Sequence, residues 1–256
     1  MSEQFSLARR LRAGETVHVG WATLGVPIIA ESLARAGFSV VNLDQQHGLF
    51  DTDSTIAGIA AIRAAGATPS VRVPLGGVSR VSRALDFGAE AIIAPMINTV
   101  EDARALAAAA KFPPIGERSW GPARALMSSG MSMSDYLGQA NDGTLVFAMI
   151  ETRTAIANVD AILSVAGIDG VFVGPSDLSI ALSNGGSVDP NGKAVDEVSD
   201  VIVAAARKAG KIAGAYTGSA ERANQQAARG FRFIGVSSDG GLLQAGAGAT
   251  LKSLKV

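Results

Sequence analysis

The sequence predicts a single (β/α)8 barrel spanning residues 1–256, and three observations lead to it. Eight short apolar runs alternate along the chain with Ala/Arg-rich amphipathic segments. Most of those segments close on a glycine followed within a few residues by the next apolar run, as expected of a helix that ends left-handed and leads into a buried strand. The length, 256 residues, is that of a barrel of about 250 residues. Near-continuous apolar strands require cover on both faces, which a parallel sheet wrapped in helices supplies, and eight repeats close it. An open doubly wound sheet is the runner-up, but no G-x-G-x-x-G follows the first strand.

In chain order the strands are VHVGWAT from Val17, FSVVNLD from Phe38, TPSVRVP from Thr68, AIIAP from Ala91, LVFAMIE from Leu145, GVFVG from Gly170, KIAGAYT from Lys211 and FRFIGVS from Phe231. The helix-closing glycines are Gly37, Gly66, Gly88, Gly167, Gly210 and Gly230. Thr99 and Ser219 read as N-caps, the first with Glu101 and Asp102 in the opening turn. One long interruption, residues 111–143, follows the fourth strand's helix; such a stretch is expected to carry function or to lie over the barrel mouth.

Composition removes several classes. With 48% hydrophobic and 18% charged residues the chain is neither disordered nor a coiled coil. Lys and Arg total 22 against 23 Asp and Glu, so no basic excess exists to meet nucleic acid, and at 5% aromatics are too sparse to stack bases. Cysteine is absent, which excludes disulfides, thiolate zinc sites and thiol nucleophiles and suits a reducing compartment. Arg9, Arg10 and Arg12 precede no apolar segment of a secretory signal, and no run reaches the ~18 apolar residues of a membrane span. A soluble, cytoplasmic chain with no membrane or nucleic-acid partner is expected.

Barrel chemistry sits at the C-terminal ends of the strands, so charged residues there need an explanation. Strand two ends in Asp44-Gln45-Gln46-His47-Gly48, strand three holds Arg72, strand five ends in Glu151 and strand six in Gly174-Pro175-Ser176-Asp177. Glu151 and Asp177 lie on neighbouring strands. An oxygen-only pair suits Mg²⁺ or Mn²⁺ rather than zinc. Each alone could equally be a rim carboxylate paired with Arg153 or Arg72; their shared rim favours the metal.

His47 titrates near neutrality and can act as a general base, with Asp44 available to orient it. A lone histidine at a strand end is more often structural, and the surrounding charges reverse that reading; His18 stays structural. Arg72, always protonated, suits a developing enolate or a carboxylate substrate, the alternative being a buried ion pair. Gly174 and Pro175 turn the chain into a helix whose first N–H groups can receive an anion. No nucleophile elbow or phosphate loop occurs. None of the six lysines ends a predicted strand, which argues against a Schiff base.

Taken together, VVNLDQQHGLFD, SVRVP, LDFGAEAIIAPMINTVEDA, GERSWGPAR, FAMIETRTAIANVDAI and GVFVGPSDLS resemble, in order and spacing, the HpcH/HpaI aldolase family of metal-dependent pyruvate aldolases. The resemblance covers nearly the whole chain. It implies a modified barrel, hexameric as a trimer of dimers, with the C-terminal helix exchanged between subunits. It implies that His47 is the proton acceptor, that Asp44 and Asp86 support its basicity, and that Arg72 stabilises the transition state. By the same resemblance Glu151 and Asp177 bind a divalent metal, Mg²⁺ or Mn²⁺ with Co²⁺ also admitted. Gly174, Pro175, Ser176 and Asp177 form the substrate loop, where Ser176 and Asp177 offer backbone N–H groups to the pyruvate carboxylate. Asp86 reads from the residues alone as a solvated helix position.

The implied reaction cleaves 4-hydroxy-2-oxo acids to pyruvate, or hydroxypyruvate, plus an aldehyde, and runs in reverse. Two departures bear on substrate preference: Met149 stands where some members carry a substrate-contacting Gln, and Gln46 replaces an acidic residue. Arg118, Trp120, Pro122 and Arg124 are candidates for recognising the aldehyde. Two other readings stay open. One is a metal-independent phosphate-substrate isomerase or lyase using Gly218, Gly240 and Gly241. The other is a non-catalytic ligand-binding barrel.

Overall fold

The structure is a computed structural model describing residues 4–254. Helix α1 (Ser6–Arg12) precedes β1 (Val17–Ala22), α2 (Pro27–Arg35), β2 (Val40–Asp44), α3 (Thr52–Ala64), β3 (Thr68–Arg72), α4 (Val78–Phe87), β4 (Ala91–Ala94) and α5 (Val100–Ala110). Two further helices, α6 (Ala123–Ser129) and α7 (Met133–Gly143), lead to β5 (Leu145–Ile150). The chain continues through α8 (Arg153–Ala157), α9 (Val159–Ser164), β6 (Gly170–Val173), α10 (Pro175–Leu182) and α11 (Lys193–Lys208). It finishes with β7 (Ile212–Thr217), α12 (Ala220–Arg229), β8 (Phe233–Ser238) and α13 (Asp239–Ser253). The eight strands pair in parallel and in chain order, and β8 returns to β1, so the barrel is closed.

Alternation along each strand makes two cores. Inward residues, among them Val17, Val19, Trp21, Phe147, Phe172 and Phe233, fill the barrel, with the Phe147 and Phe233 rings stacked 4.8 Å apart. Outward residues such as Val41, Leu43, Val71, Ile92 and Val146 pack beneath the helices. Leu7, Ala8 and Leu11 of α1 join the inner cluster and stop the barrel at its N-terminal end. The open end is therefore the C-terminal rim.

Local signals behave as the sequence predicts. Thr99 forms a full capping box with Asp102 at the start of α5, and the Ser219 hydroxyl accepts from the Arg222 N–H at the start of α12. Gly88 and Gly230 end α4 and α12 at φ 112° and 116°, a backbone that side-chain-bearing residues rarely adopt. His18 lies exposed on β1.

The segment 111–143 departs from expectation. It is largely helical, in α6 and α7, and it does not cover the mouth: α7 packs on α1, the plug of the opposite end. The reason is topological. Each barrel helix runs antiparallel to its strands, so a connection from the end of α5 to the start of β5 lies at the N-terminal face. Buried Lys111 anchors it there, donating to the Asn141 and Thr144 carbonyls at 2.7 and 2.5 Å and pairing with Asp169 at 2.7 Å. Burial draws that ammonium's pKa down, and Asp169 opposes the shift.

Helix α13 stands apart from the rest. Asp239 alone is buried along its fifteen residues, while Leu242, Leu243 and Leu251 are exposed. Among the described residues no helix is long and apolar enough to cross a membrane.

Candidate active site

Inward positions at the strand ends converge on one cavity of about 260 Å³ at the C-terminal rim. Asp44 and Arg72 are direct partners in the β2–β3 register. The same alternation that turns Val40 and Asn42 inward on β2 turns Asp44 inward, so the pair meets by strand geometry. Arg72 donates from Nε to Asp44 Oδ1 at 3.0 Å and from Nη2 to Oδ2 at 2.5 Å. Its guanidinium also lies over the Trp21 ring, 5.2 Å from the centroid.

Trp21 Nε1 donates to Asp44 Oδ2 at 3.2 Å, and the backbone N–H groups of Gln46 and His47 donate to Oδ1 at 3.0 and 3.2 Å. Burial pushes the Asp44 carboxyl up, but Arg72, Trp21 and the Gln46 N–H together outweigh it and hold the group below the usual carboxylate range. Asp44 thus fixes the arginine and the turn that carries His47. It does so through the histidine's backbone, not its ring. His47 itself is exposed at the cavity wall.

Across the cavity, Gly174 is the N-cap of α10 and Pro175 its first residue. Pro175 has no N–H to lose, and the N–H groups of Ser176 and Asp177 fall in the first turn, where a helix leaves donors without intrahelical partners. Gly174, Pro175, Ser176 and Asp177 all line the cavity. Glu151 lies just behind them. The residue is 2% exposed, and its Oε1 accepts from the Met96 N–H at 2.7 Å. A Cβ at Gly174 would collide with Glu151 Oε2, so the glycine is what allows the carboxylate to approach the turn into α10.

Burial raises Glu151 to about 7; the Met96 N–H opposes that shift, Asp177 adds to it and Arg72 opposes it. A carboxylate made unfavourable by burial and by a second carboxylate is one that a cation would relieve. Two protein carboxylates are few for a fully caged metal, and no group of three or more such side chains occurs among the described residues. They suit Mg²⁺ or Mn²⁺, which keep several water or substrate oxygens. The donor set fits the group.

Asp86 is not brought to this cavity within the chain. It sits near the C-terminal end of α4, toward the opposite face, and pairs with Arg118 at 2.6 Å. Arg118 is buried, with its guanidinium 4.5 Å from the Phe112 ring centroid. The aldehyde-recognition role expected for Arg118, Trp120, Pro122 and Arg124 finds no place at this chain's own mouth, for the topological reason given above.

Neutral residues complete the cavity. Trp21 is on β1 and Thr23 follows it, Tyr216 is on β7 and Ser238 ends β8. Charge at strand ends cannot flag them; inward parity on those strands could have. Trp21 meets Tyr216 edge-on at 5.2 Å, and burial pushes the Tyr216 phenol up.

The phosphate reading is not favoured at Gly240 and Gly241. The Asp239 carboxylate already accepts from the N–H groups of Thr23, Leu24 and Gly240, and Ser238 Oγ accepts from Gly241. A second anion there would oppose Asp239. A larger groove of about 430 Å³, beside the 112–118 connection, has Arg104 and Glu117 as its charged lining and no carboxylate pair.

The chain is similar to proteins already known. A hydroxypyruvate/pyruvate aldolase of Rhizorhabdus wittichii is 40% identical over 234 residues, 91% of this chain and 92% of that protein. A 4-hydroxy-2-oxo-heptane-1,7-dioate aldolase of Klebsiella pneumoniae is 34% identical over 239 residues, 93% of this chain and 89% of that one. The crystal structure of an HpcH/HpaI aldolase/citrate lyase family protein from Burkholderia cenocepacia superposes with a TM-score of 0.86 at 32% identity, covering 96% of this chain and 98% of that chain. The family model for HpcH/HpaI aldolase/citrate lyase matches residues 18–245, from within β1 to beyond β8, and the chain belongs to that family.

Proposed function

We propose that the chain is a class II aldolase that cleaves 4-hydroxy-2-oxo acids to pyruvate or hydroxypyruvate plus an aldehyde, and catalyses the reverse addition. As a member of this family it is a carbon–carbon lyase. One observation carries the assignment: the buried Glu151 carboxylate, held through Oε1 by the Met96 N–H, lies behind Gly174 within electrostatic reach of Asp177, at the edge of the cavity that also presents His47 and Arg72.

Glu151 and Asp177 would hold the divalent cation, Mg²⁺, Mn²⁺ or Co²⁺. When bound, it supplies Lewis-acid stabilisation of the negative charge that develops on the substrate's keto oxygen. The chain's own residues do the rest. The N–H groups of Ser176 and Asp177 receive the substrate carboxylate at the start of α10. His47 takes the C4 hydroxyl proton, the C4–O bond becomes a carbonyl as C3–C4 breaks, and the electron pair passes to the enolate. Arg72 Nη1, which receives no acceptor among the described residues, is available to that oxyanion. Protonation at C3 then yields the 2-oxo acid.

Asp86 enters only in an assembly. Since it cannot reach His47 within one chain, support for that imidazole requires the α4 of a neighbouring copy. A hexamer with α13 exchanged is the corresponding assembly, and the exposed leucines of α13 support it. A cytoplasmic setting suits a chain without cysteine.

The test is pyruvate release from a panel of 4-hydroxy-2-oxo acids before and after EDTA, with metal add-back. Activity should vanish on chelation and return with Mg²⁺ or Mn²⁺. His47→Ala and Glu151→Gln should each lower kcat by about 100-fold or more. Turnover indifferent to EDTA, or full activity in either variant, overturns the assignment.

A further inference from the structure

The connection between β4 and α5 holds a residue whose backbone, not its side chain, serves the site. Met96 has φ 56°, in the left-handed region that an unbranched L-residue seldom enters. In this conformation its N–H reaches Glu151 Oε1 at 2.7 Å. Its side chain belongs elsewhere, to an apolar cavity with Val73, Leu75, Ile97 and Leu106.

Asn98 locks Met96 through the peptide on the other side of its Cα. Its Nδ2 donates to the Met96 carbonyl at 3.0 Å, and its Oδ1 accepts from the Thr152 hydroxyl, one residue beyond Glu151. Its own backbone is tied as well: the N–H donates to Asp102 at 3.0 Å, and the carbonyl accepts from Asn158 Nδ2 at 2.8 Å. Every polar group of Asn98 is therefore engaged, and the engaged groups join the start of α5 to the residues on either side of α8. Strained backbone persists where its surroundings over-determine it, and it clusters at functional sites.

We propose that Met96 and Asn98 are positioning residues: Asn98, through the Met96 carbonyl, holds the Met96 backbone left-handed, and the Met96 N–H fixes Glu151 by one oxygen so that the other stays open to the cation. The inference rests on Glu151 being a metal ligand, as read above. Groups that orient a metal ligand carry much of a site's affinity without touching the ion.

The experiment titrates Mn²⁺ into the EDTA-stripped full chain, reading free Mn²⁺ by electron paramagnetic resonance, with thermal melts of the metal-free proteins alongside. Asn98→Asp keeps an acceptor for Thr152 but loses the donor to Met96. It should weaken Mn²⁺ binding about tenfold or more, as should Asn98→Ala. Met96→Ile, a β-branched residue opposed to positive φ, should do the same, whereas Met96→Gly, free to adopt it, should stay within about twofold of wild type. The Met96 pair separates the backbone from the side chain and remains decisive if the Asn98 variants melt early. Unchanged Mn²⁺ affinity in Met96→Ile and the Asn98 variants, with Glu151→Gln impaired, overturns this inference alone. A wild type that takes up no Mn²⁺, or a Glu151→Gln that binds as tightly, overturns the metal reading and this inference with it.

Discussion

Asp44 shows how one residue carries several duties. It accepts from Arg72, Trp21 and two backbone N–H groups, so the arginine, the barrel's inner tryptophan and the His47 turn depend on one carboxylate. Its pKa in the fold is lowered, so the stability it contributes is fully present above the ordinary carboxylate value of about 3.9 and is lost as pH falls through the lower folded value. Asp44→Asn should cost up to about 3 kcal/mol near neutrality, because the mostly buried Arg72 loses its partner. Denaturant melts from pH 7 to pH 3 should show that gap closing at the acid end; a gap that stays constant across the range would contradict the role. Asp44, Arg72 and Glu151 were legible as charges interrupting apolar runs. Met96 was not, because what it contributes is a peptide N–H, and every residue except proline has one.

At the scale of elements, the β6–α10 turn decides whether Glu151, the proposed metal ligand, and the proposed substrate loop can share a site. Gly174 ends the strand side, Pro175 opens the helix, and the missing Cβ leaves room for Glu151. Gly174→Ala should displace the flexible ends of Glu151 and Met149 rather than the backbone, since those are the atoms the new methyl would meet. We expect kcat to fall about 100-fold, the scale of a roughly 1 Å misplacement at a reacting centre, with the thermal midpoint nearly unchanged. Wild-type turnover in that variant would show that the close approach has no catalytic use. All eight strands were readable because apolar runs and helix-closing glycines are local signals. Segment 111–143 was misplaced because composition identifies an insertion, whereas its face of the barrel follows from whether it leaves a helix or a strand.

For the whole molecule, the unpaired feature is α13. A fifteen-residue helix with Asp239 as its buried residue and exposed leucines gains little from its own barrel. If it packs on a second copy, light scattering should give a mass several times 26.0 kDa. Removing residues 244–256, beyond the Asp239 anchor, should lower that multiple while leaving the barrel's circular dichroism intact. An unchanged mass after truncation would remove α13 from the assembly.

The sequence by itself determined the closed parallel barrel, its strand order and the charged residues at the rim, because hydrophobic period, caps and helix-ending glycines act over a few residues at a time. Only the tertiary structure decided that Asp44 grips Arg72 rather than the His47 ring, that Asp86 faces Arg118 at the far end, and that a strained Met96 peptide holds Glu151. Those pairings join residues from 28 to 55 positions apart. They are set by barrel register and by which end of each helix a residue occupies, and no local pattern in the chain encodes either.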